Sequence, residues 1–163
     1  MTERRTVVLR RTYTASAPEV WEMWTTSDGI ESWWGPDGFA VEVHDIDVSP
    51  GGRMSYSMKA VGSEQIAYME EAGMPVVTTH TVTYAEVSPY RRLSYQHLVD
   101  FVPGVETYEV GTMIELRPEG GGTLVTLTLD AMHDQHWTDL AVAGWENELD
   151  RLNRALETRK ERS

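Results

Sequence analysis

The stretch that decides the fold lies at the end of the chain, where residues 132–163 read MHDQHWTDLAVAGWENELDRLNRALETRKERS. Asp134 stands where a helix N-cap is expected. The basic residues Arg159, Lys160 and Arg162 lie near the other end, as the helix dipole favours. A helix with so much apolar surface must pack on a broad apolar partner, and the strands before it are the candidate. The apolar positions recur at helical spacing: Trp137, Leu140, Ala141, Trp145, Leu149, Leu152 and Leu156.

Alternation with a period of two marks the strands that precede this helix. From Phe39, apolar and polar residues alternate, and they do so again at Met54, Tyr56 and Met58. The turn Pro50-Gly51-Gly52 between these segments predicts a hairpin. Further strands are predicted at 4–14, 76–87, 92–100, 107–116 and 123–131.

Three shorter helices are predicted between these strands. Ser16-Ala17-Pro18-Glu19 is a capping box that opens the first, and the second begins near Asp28 and ends at Gly35-Pro36. A third, inserted near 63–73, has Ser63 as its expected cap and Gly73 as its stop. Strands joined by short turns must be antiparallel, so the order predicts an α+β fold in which one sheet packs on the long helix.

Five motifs follow one another along the chain: Ala17-Pro18-Glu19-Val20-Trp21, Trp33-Trp34-Gly35-Pro36 with Gly38-Phe39, Pro50-Gly51-Gly52-Arg53, Val87-Ser88-Pro89 with Arg92-Leu93, and Gly144-Trp145 with Leu149. Together they resemble the START-like (SRPBCC) superfamily, and within it the bacterial branch similar to the C-terminal domain of the activator of the heat-shock-protein-90 ATPase. The resemblance implies the helix-grip fold over residues 1–163 as a single domain. In that fold, a curved antiparallel sheet of about seven strands wraps around the long C-terminal helix and leaves a cavity that often binds apolar ligands. It does not imply one activity, because members include lipid binders, polyketide cyclases and co-chaperone-like domains.

Composition narrows the classes of partner. The formal net charge is −12, from 14 basic and 26 acidic residues, which argues against nucleic acid and anionic membranes because both would be repelled. The 163 residues include no cysteine, which excludes disulfides and thiolate chemistry and fits a reducing cytoplasm. No apolar run is long enough for a bilayer span, and no signal segment is recognised. We therefore expect a cytoplasmic protein.

The cavity is expected between the inner strand faces and the long helix. Adjacent tryptophans point to different sides of a helix, so at most one of Trp33 and Trp34 is expected to be wholly core, which leaves the other to stack on a ligand or to rim the cavity mouth. The favoured interpretation is instead that both close one end of the core. Methionines on the inner face suit an irregular apolar pocket as well as an ordinary core. The candidate lining residues are Trp33, Trp34, Phe39, Met54, Tyr56, Met58, Tyr95, His97, Trp137 and Trp145.

The polar residues suggest little catalytic chemistry. His97 shares a strand face with Leu93 and Tyr95, so it is expected to point inward, and proximity to Glu109 or Glu115 would shift its pKa. His133 and His136 lie near the start of the long helix without an obvious third ligand, so neither a metal nor a cofactor is predicted. A nucleophile elbow and a phosphate-binding glycine loop are both missing from the sequence.

Three functions remain open from the sequence. The first is the binding of a small hydrophobic or lipid-like molecule in the cavity, with the segment 62–77 either a lid or a static surface helix. The second is a co-chaperone-like interaction module, which requires a contiguous exposed apolar patch. The third is a cyclase- or hydrolase-like enzyme, which requires two titratable side chains within hydrogen-bond reach inside the pocket. A homodimer formed through a strand edge or the tryptophan-rich region is a further expectation.

Overall fold

The computed structural model describes residues 5–35, 37–99 and 104–162. Pro36 of the predicted Trp33–Pro36 motif lies outside these residues, as does Asp100 at the end of a predicted strand. The observed order confirms the predicted one: a strand, two short helices, six strands with one inserted helix, and the long helix. The elements are β1 (Thr6–Tyr13), α1 (Ala17–Thr25), α2 (Ser27–Trp33), β2 (Phe39–Ile46), β3 (Arg53–Ala60), α3 (Ser63–Glu71), β4 (Val77–Ser88), β5 (Arg92–Val99), β6 (Tyr108–Glu119), β7 (Gly122–Asp130) and α4 (Gln135–Arg162).

The seven strands form one antiparallel sheet in the order β1-β7-β6-β5-β4-β3-β2. Strands β2 to β7 follow one another as neighbours, and β1 then pairs with β7, with Leu9 opposite Leu127. The sheet is open and curved, and β1 and β2 are its edges. Its inner face packs against α4, α1 and α2, so the predicted α+β helix-grip fold is confirmed.

The long helix starts where the sequence placed its cap. The backbone N–H of Trp137 donates to the Asp134 carboxylate at 2.8 Å, as an N-cap requires. Leu149, Leu152 and Leu156 of the predicted stripe are at most 4% exposed. Leu140 is 46% exposed, so its assignment to the stripe was wrong. It lies about 100° around the helix from Ala141, beyond the edge of the buried face.

The short helices α1 and α2 close one end of the core. The Ser16 side chain accepts from the Glu19 backbone N–H at 3.3 Å, which confirms the predicted start of α1. The rings of Trp24 and Trp33 meet edge to face with centroids 4.6 Å apart. The tryptophan-rich start of the chain therefore forms part of the hydrophobic core.

The inserted helix α3 packs on β3 at the β2 side of the sheet. Its N-cap is Gly62, which has no side-chain hydrogen bond, so the predicted capping by Ser63 was wrong. Gly73 follows the helix with φ +70°, a backbone conformation that favours glycine, and this confirms the predicted stop. Across residues 5–35, 37–99 and 104–162, no helix is long and apolar enough to cross a membrane.

Candidate functional site

A cavity of about 240 Å³ lies between the inner face of the sheet and the first half of α4. Strands β3, β5, β6 and β7 supply one wall, and α4 with the end of α2 supplies the other. Most of its surface is apolar or aromatic, as is typical of sites for small organic molecules. The lining residues are Trp34, Tyr56, Met58, Tyr95, His97, Val99, Val110, Gly111, Thr112, Leu129, Asp130, Met132, Ala141, Gly144, Trp145 and Glu148.

Helical spacing brings one face of α4 to the cavity. Gly144 lies in the middle of the helix, where glycine is unfavourable by about 1 kcal/mol relative to alanine. A methyl group added there would meet no described atom within 4 Å apart from its chain neighbours and its own helix backbone. The missing side chain therefore leaves room for the cavity. The residues of this face are Ala141, Gly144, Trp145 and Glu148.

Period-two alternation selects the strand residues that face the cavity. Tyr95 and His97 of β5 both line it, which confirms the predicted inward orientation of His97. In β3, Tyr56 and Met58 reach the cavity, whereas Met54 on the same face is fully buried in the core. A shared strand face is therefore not sufficient to place a residue at the cavity.

The adjacent tryptophans occupy different environments. Trp33 is fully buried in the core, and its indole N–H donates to the Met23 carbonyl at 2.7 Å. Trp34 is 6% exposed and lines the cavity, with its ring centroid 5.3 Å from that of Tyr56. Its indole N–H has no hydrogen-bond partner among the described residues. Both tryptophans thus belong to the hydrophobic core, as the favoured interpretation expected, and Trp34 also forms part of the cavity wall.

The other predicted lining residues divide between the cavity and its surroundings. Phe39 begins the edge strand β2 opposite Ala60 and is partly exposed. Trp137 lies in the first turn of α4, with its ring centroid 6.0 Å from that of His133. Together with Trp33 and Met54, these two residues lie outside the lining, because position along the element decides which inner residues meet the cavity. The predicted residues that do line it are Trp34, Tyr56, Met58, Tyr95, His97 and Trp145.

Glu148 is the functional candidate that sequence reasoning missed. Its Oε1 accepts a hydrogen bond from the Gly35 backbone N–H at 2.6 Å. Burial raises its pKa from 4.5 to about 7, and this effect outweighs the opposing hydrogen bond from Gly35 and the charge of Arg151. Glu148 lines the cavity and is partly exposed. A signal was present, since Glu148 lies four residues after Gly144 and three after Trp145, within the apolar face of the helix.

Polar side chains of α4 hold the loop after α2 against the helix. The Asp37 backbone N–H donates to Asn147 Oδ1 at 2.7 Å, and the Arg151 guanidinium donates to the Gly35 carbonyl. The hydrogen bond from Asn147, with smaller contributions from the Arg154 and Arg151 charges, lowers the pKa of Asp37. Gly35 has φ +84°, so glycine suits this strained position between Trp34 and the helix. The loop therefore fixes the Trp34 ring at the cavity wall.

Three titratable rings meet on the sheet side of the cavity. Tyr56 Oη and His97 Nε2 are 3.3 Å apart, and the His80 ring stacks on Tyr56 with centroids 5.3 Å apart. Burial, and secondarily the nearby His80, lowers the pKa of His97 from 6.5 to about 4, so it is neutral at physiological pH. Burial also raises the pKa of Tyr56.

Glu109 or Glu115 was predicted to be the carboxylate that would shift the pKa of His97, and neither residue lies beside it. Glu115 lies on the outer face of the sheet, where it pairs with Arg92 at 3.2 Å, and Glu109 is exposed at the position opposite Leu98. Alternation places both carboxylates on the face away from His97. The carboxylate that shares the cavity with His97 comes instead from the long helix, as Glu148.

Two other predicted features lie outside the cavity. His133 bonds to the Tyr108 hydroxyl at 2.6 Å, and within the three described ranges no group of three or more His, Cys, Asp or Glu side chains is placed to hold a metal ion. Helix α3 contributes no residue to the lining, so a lid there would have to act from a distance.

Comparisons with known proteins agree on the fold. The model of the family described as "Activator of Hsp90 ATPase homolog 1-like protein" matches residues 14–157. A protein from Chromobacterium violaceum has a similar structure at 20% identity, with a TM-score of 0.73 over 92% of this chain and 96% of its own. The AHSA1-like protein from Aeromonas hydrophila is 22% identical, with a TM-score of 0.74 over 96% of this chain and 94% of its own. A protein from Nitrosomonas europaea is 21% identical, with a TM-score of 0.72 over 94% and 95%. No curated protein matches the sequence.

Proposed function

The chain belongs to the family of activator of Hsp90 ATPase homolog 1-like proteins, and we propose that within this fold it binds one small, mainly apolar molecule between the sheet and α4. The observation that carries the proposal is the cavity of about 240 Å³ with its aromatic and aliphatic lining. Such a volume suits a molecule of fragment size, about one ring with a short substituent. The few polar groups of the lining would orient that molecule.

Three kinds of contact support this assignment. Met58, Val110 and Leu129 offer an apolar floor, and burying apolar ligand surface gains about 25 cal/mol per Å². Trp34 and Trp145 offer ring faces from the opposite wall, with centroids 6.5 Å apart. The open space beside Gly144 then admits the ligand without any change of backbone.

A cavity-filling variant tests the proposal directly. Gly144→Leu would place four carbon atoms in the open space and remove ligand binding while keeping the helix. Ala143→Leu adds a similar side chain at the exposed neighbouring position and is the matched control. Native mass spectrometry and a thermal-shift screen with small aromatic and aliphatic compounds should detect ligands for the wild type and for Ala143→Leu only. Compounds that bind Gly144→Leu equally well, or a wild type that binds none, would refute the proposal.

A second candidate function is acid–base catalysis in the same cavity. Tyr56 and His97 lie within hydrogen-bond reach, and Glu148 titrates near neutral pH, which meets the requirement stated for an enzyme. A general base with a pKa of about 7 suits proton abstraction from a weakly acidic carbon or water. Turnover of a bound ester or enolisable ketone that disappears in Glu148→Gln would support it. Binding without any turnover across such compounds would favour the pure binding role.

The family description also supports a co-chaperone role as an alternative. Large exposed apolar side chains of the described residues are distributed over several elements: Val8, Val61, Tyr68, Val77, Tyr90 and Leu140. Stimulation of a bacterial Hsp90 ATPase by the purified protein would support this role, and an unchanged ATPase rate would remove it. We place either activity in the cytoplasm, consistent with the absence of cysteine. A homodimer through the β1 or β2 edge remains a proposal that sedimentation would test.

A further inference from the structure

We propose that the cavity selects ligands with a cationic head group, such as an organic ammonium, and places that group beside Glu148. The inference rests on the proposed binding function and adds the charge of the ligand. It predicts weak binding of fatty acids and other carboxylates, although their apolar tails would suit the cavity walls.

The charge balance of the lining is the first observation. Glu148 and Asp130 both line the cavity, and Asp130 is anchored by the Gly111 backbone N–H at 2.8 Å. No lysine or arginine is among the described lining residues, and His97 is held neutral by burial. A bound anion would therefore face two carboxylates and no basic side chain among the described lining residues, whereas a cation would be attracted to both carboxylates.

The positive side chains lie elsewhere. A cleft on the outer face of the sheet contains Arg10, Arg92 and Arg117. In the helix, Arg151 donates to the Gly35 carbonyl and lies 3.7 Å from Asp37, and it does not line the cavity, although its charge acts on the neighbouring Glu148. The chain therefore has basic side chains at other surfaces, whereas the charged side chains of the described cavity lining are acidic.

The aromatic rings are the second observation. Trp34 lies at the centre of a cluster, with ring centroids 5.3 Å from Tyr56, 6.1 Å from Tyr95 and 6.5 Å from Trp145. All four rings line the cavity together with Glu148. Aromatic faces attract cations through their quadrupoles, and the attraction is stronger where the contact is desolvated. Rings with a carboxylate beside them are a suitable environment for an ammonium group.

The electrostatic state of Glu148 explains why a cation is favoured thermodynamically. Burial makes the carboxylate costly to ionise, and a bound ammonium would restore ionisation and expel a proton. The other titratable groups around it come from each neighbouring element: Tyr56 from β3, Tyr95 and His97 from β5, Asp130 from β7 and Arg151 on α4 itself. The tyrosines have pKa values raised by burial, so they stay neutral, and Glu148 is the group expected to release the proton at neutral pH.

The test uses three fragments that share one ring and differ in charge. Benzylamine, benzyl alcohol and benzoate are titrated by calorimetry into the wild-type protein and Glu148→Gln at about pH 7. Benzylamine should bind the wild type at least about tenfold more tightly than benzyl alcohol, and benzoate should bind most weakly. Glu148→Gln should reduce benzylamine to the affinity of the alcohol and leave benzyl alcohol unchanged.

Proton release gives a second readout that a purely structural role for Glu148 would not change. With the carboxyl half ionised near pH 7, benzylamine should release about half a proton from the wild type and none from Glu148→Gln, measured in buffers of different ionisation enthalpy. Equal or stronger binding of benzyl alcohol or benzoate would overturn the cation preference and leave the binding function intact. Absence of binding by all three fragments would overturn both.

Discussion

Replacing Glu148 by glutamine should change how the free energy of unfolding depends on pH. Glu148 has a pKa of about 7 in the folded protein against an ordinary value of 4.5, so the folded state holds this proton more tightly than the unfolded state. The corresponding stability is fully present below pH 4.5 and is lost as the pH rises through about 7. Since one pKa unit corresponds to about 1.4 kcal/mol, the complete loss is about 3 kcal/mol.

His97 acts in the opposite direction. Its pKa is lowered from 6.5 to about 4, so its contribution to stability is present above pH 6.5 and is lost as the pH falls through about 4. Between these pH values the contributions of Glu148 and His97 to stability change in opposite directions. The free energy of unfolding of the wild type should therefore vary less with pH than either group alone would cause. Glu148→Gln removes the pH dependence of stability that is due to Glu148 and retains an acceptor for the Gly35 N–H.

Urea denaturation from about pH 5 to about pH 8.5 measures this effect. The free energy of unfolding of Glu148→Gln minus that of the wild type should increase by about 2.5 kcal/mol across this range, and other groups cancel in the difference. Glu146→Gln removes a charge at an exposed position of the same helix and reports the general effect of that change. Parallel curves for Glu148→Gln and the wild type would refute the raised pKa of Glu148 and the proton release expected on binding of an amine.

Three further substitutions test the packing around the site. Gly144→Ala should raise the free energy of unfolding by about 1 kcal/mol in urea denaturation, because alanine favours the helix and its methyl group meets open space; a loss would contradict the cavity at this position. Gly29→Ala should lower it by about 1–3 kcal/mol, because the new Cβ would lie 2.8 Å from the Met23 Cα, and an unchanged midpoint would contradict the close contact of α1 and α2. Tyr13→Phe should cost about 1 kcal/mol by removing the buried hydrogen bond to the Leu149 carbonyl, 2.9 Å long, and an unchanged thermal midpoint would show that this bond adds no net stability.

The cavity chemistry also limits what the family relationship implies. The three similar structures described above are 20–22% identical, so they bear on the fold and not on the ligand. Ligand selection would instead depend on side chains such as Glu148 and Trp34, which lie on elements that the fold fixes but whose identity it does not. Comparison of these two positions across relatives would therefore separate members that bind cations from those that do not.

Local patterns in the sequence determined most of the architecture. The order of strands and helices, the Asp134 cap, the Gly73 stop and the inward orientation of His97 all follow from spacing within a few residues. Side-chain direction alternates along a strand and rotates by about 100° along a helix, so the face of each residue is a local property.

Tertiary structure alone decided which inner residues fill the core and which meet the cavity. Met54 and Met58 share a strand face, but only Met58 lies where α4 leaves the sheet uncovered. Glu148, for which no prediction came from the sequence, is enclosed by the Gly35 loop and the sheet, and Leu140, predicted to lie in the apolar stripe, is exposed. The burial of a side chain depends on how segments that are distant in the sequence pack against each other. The periodicity of the sequence carries no information about that packing.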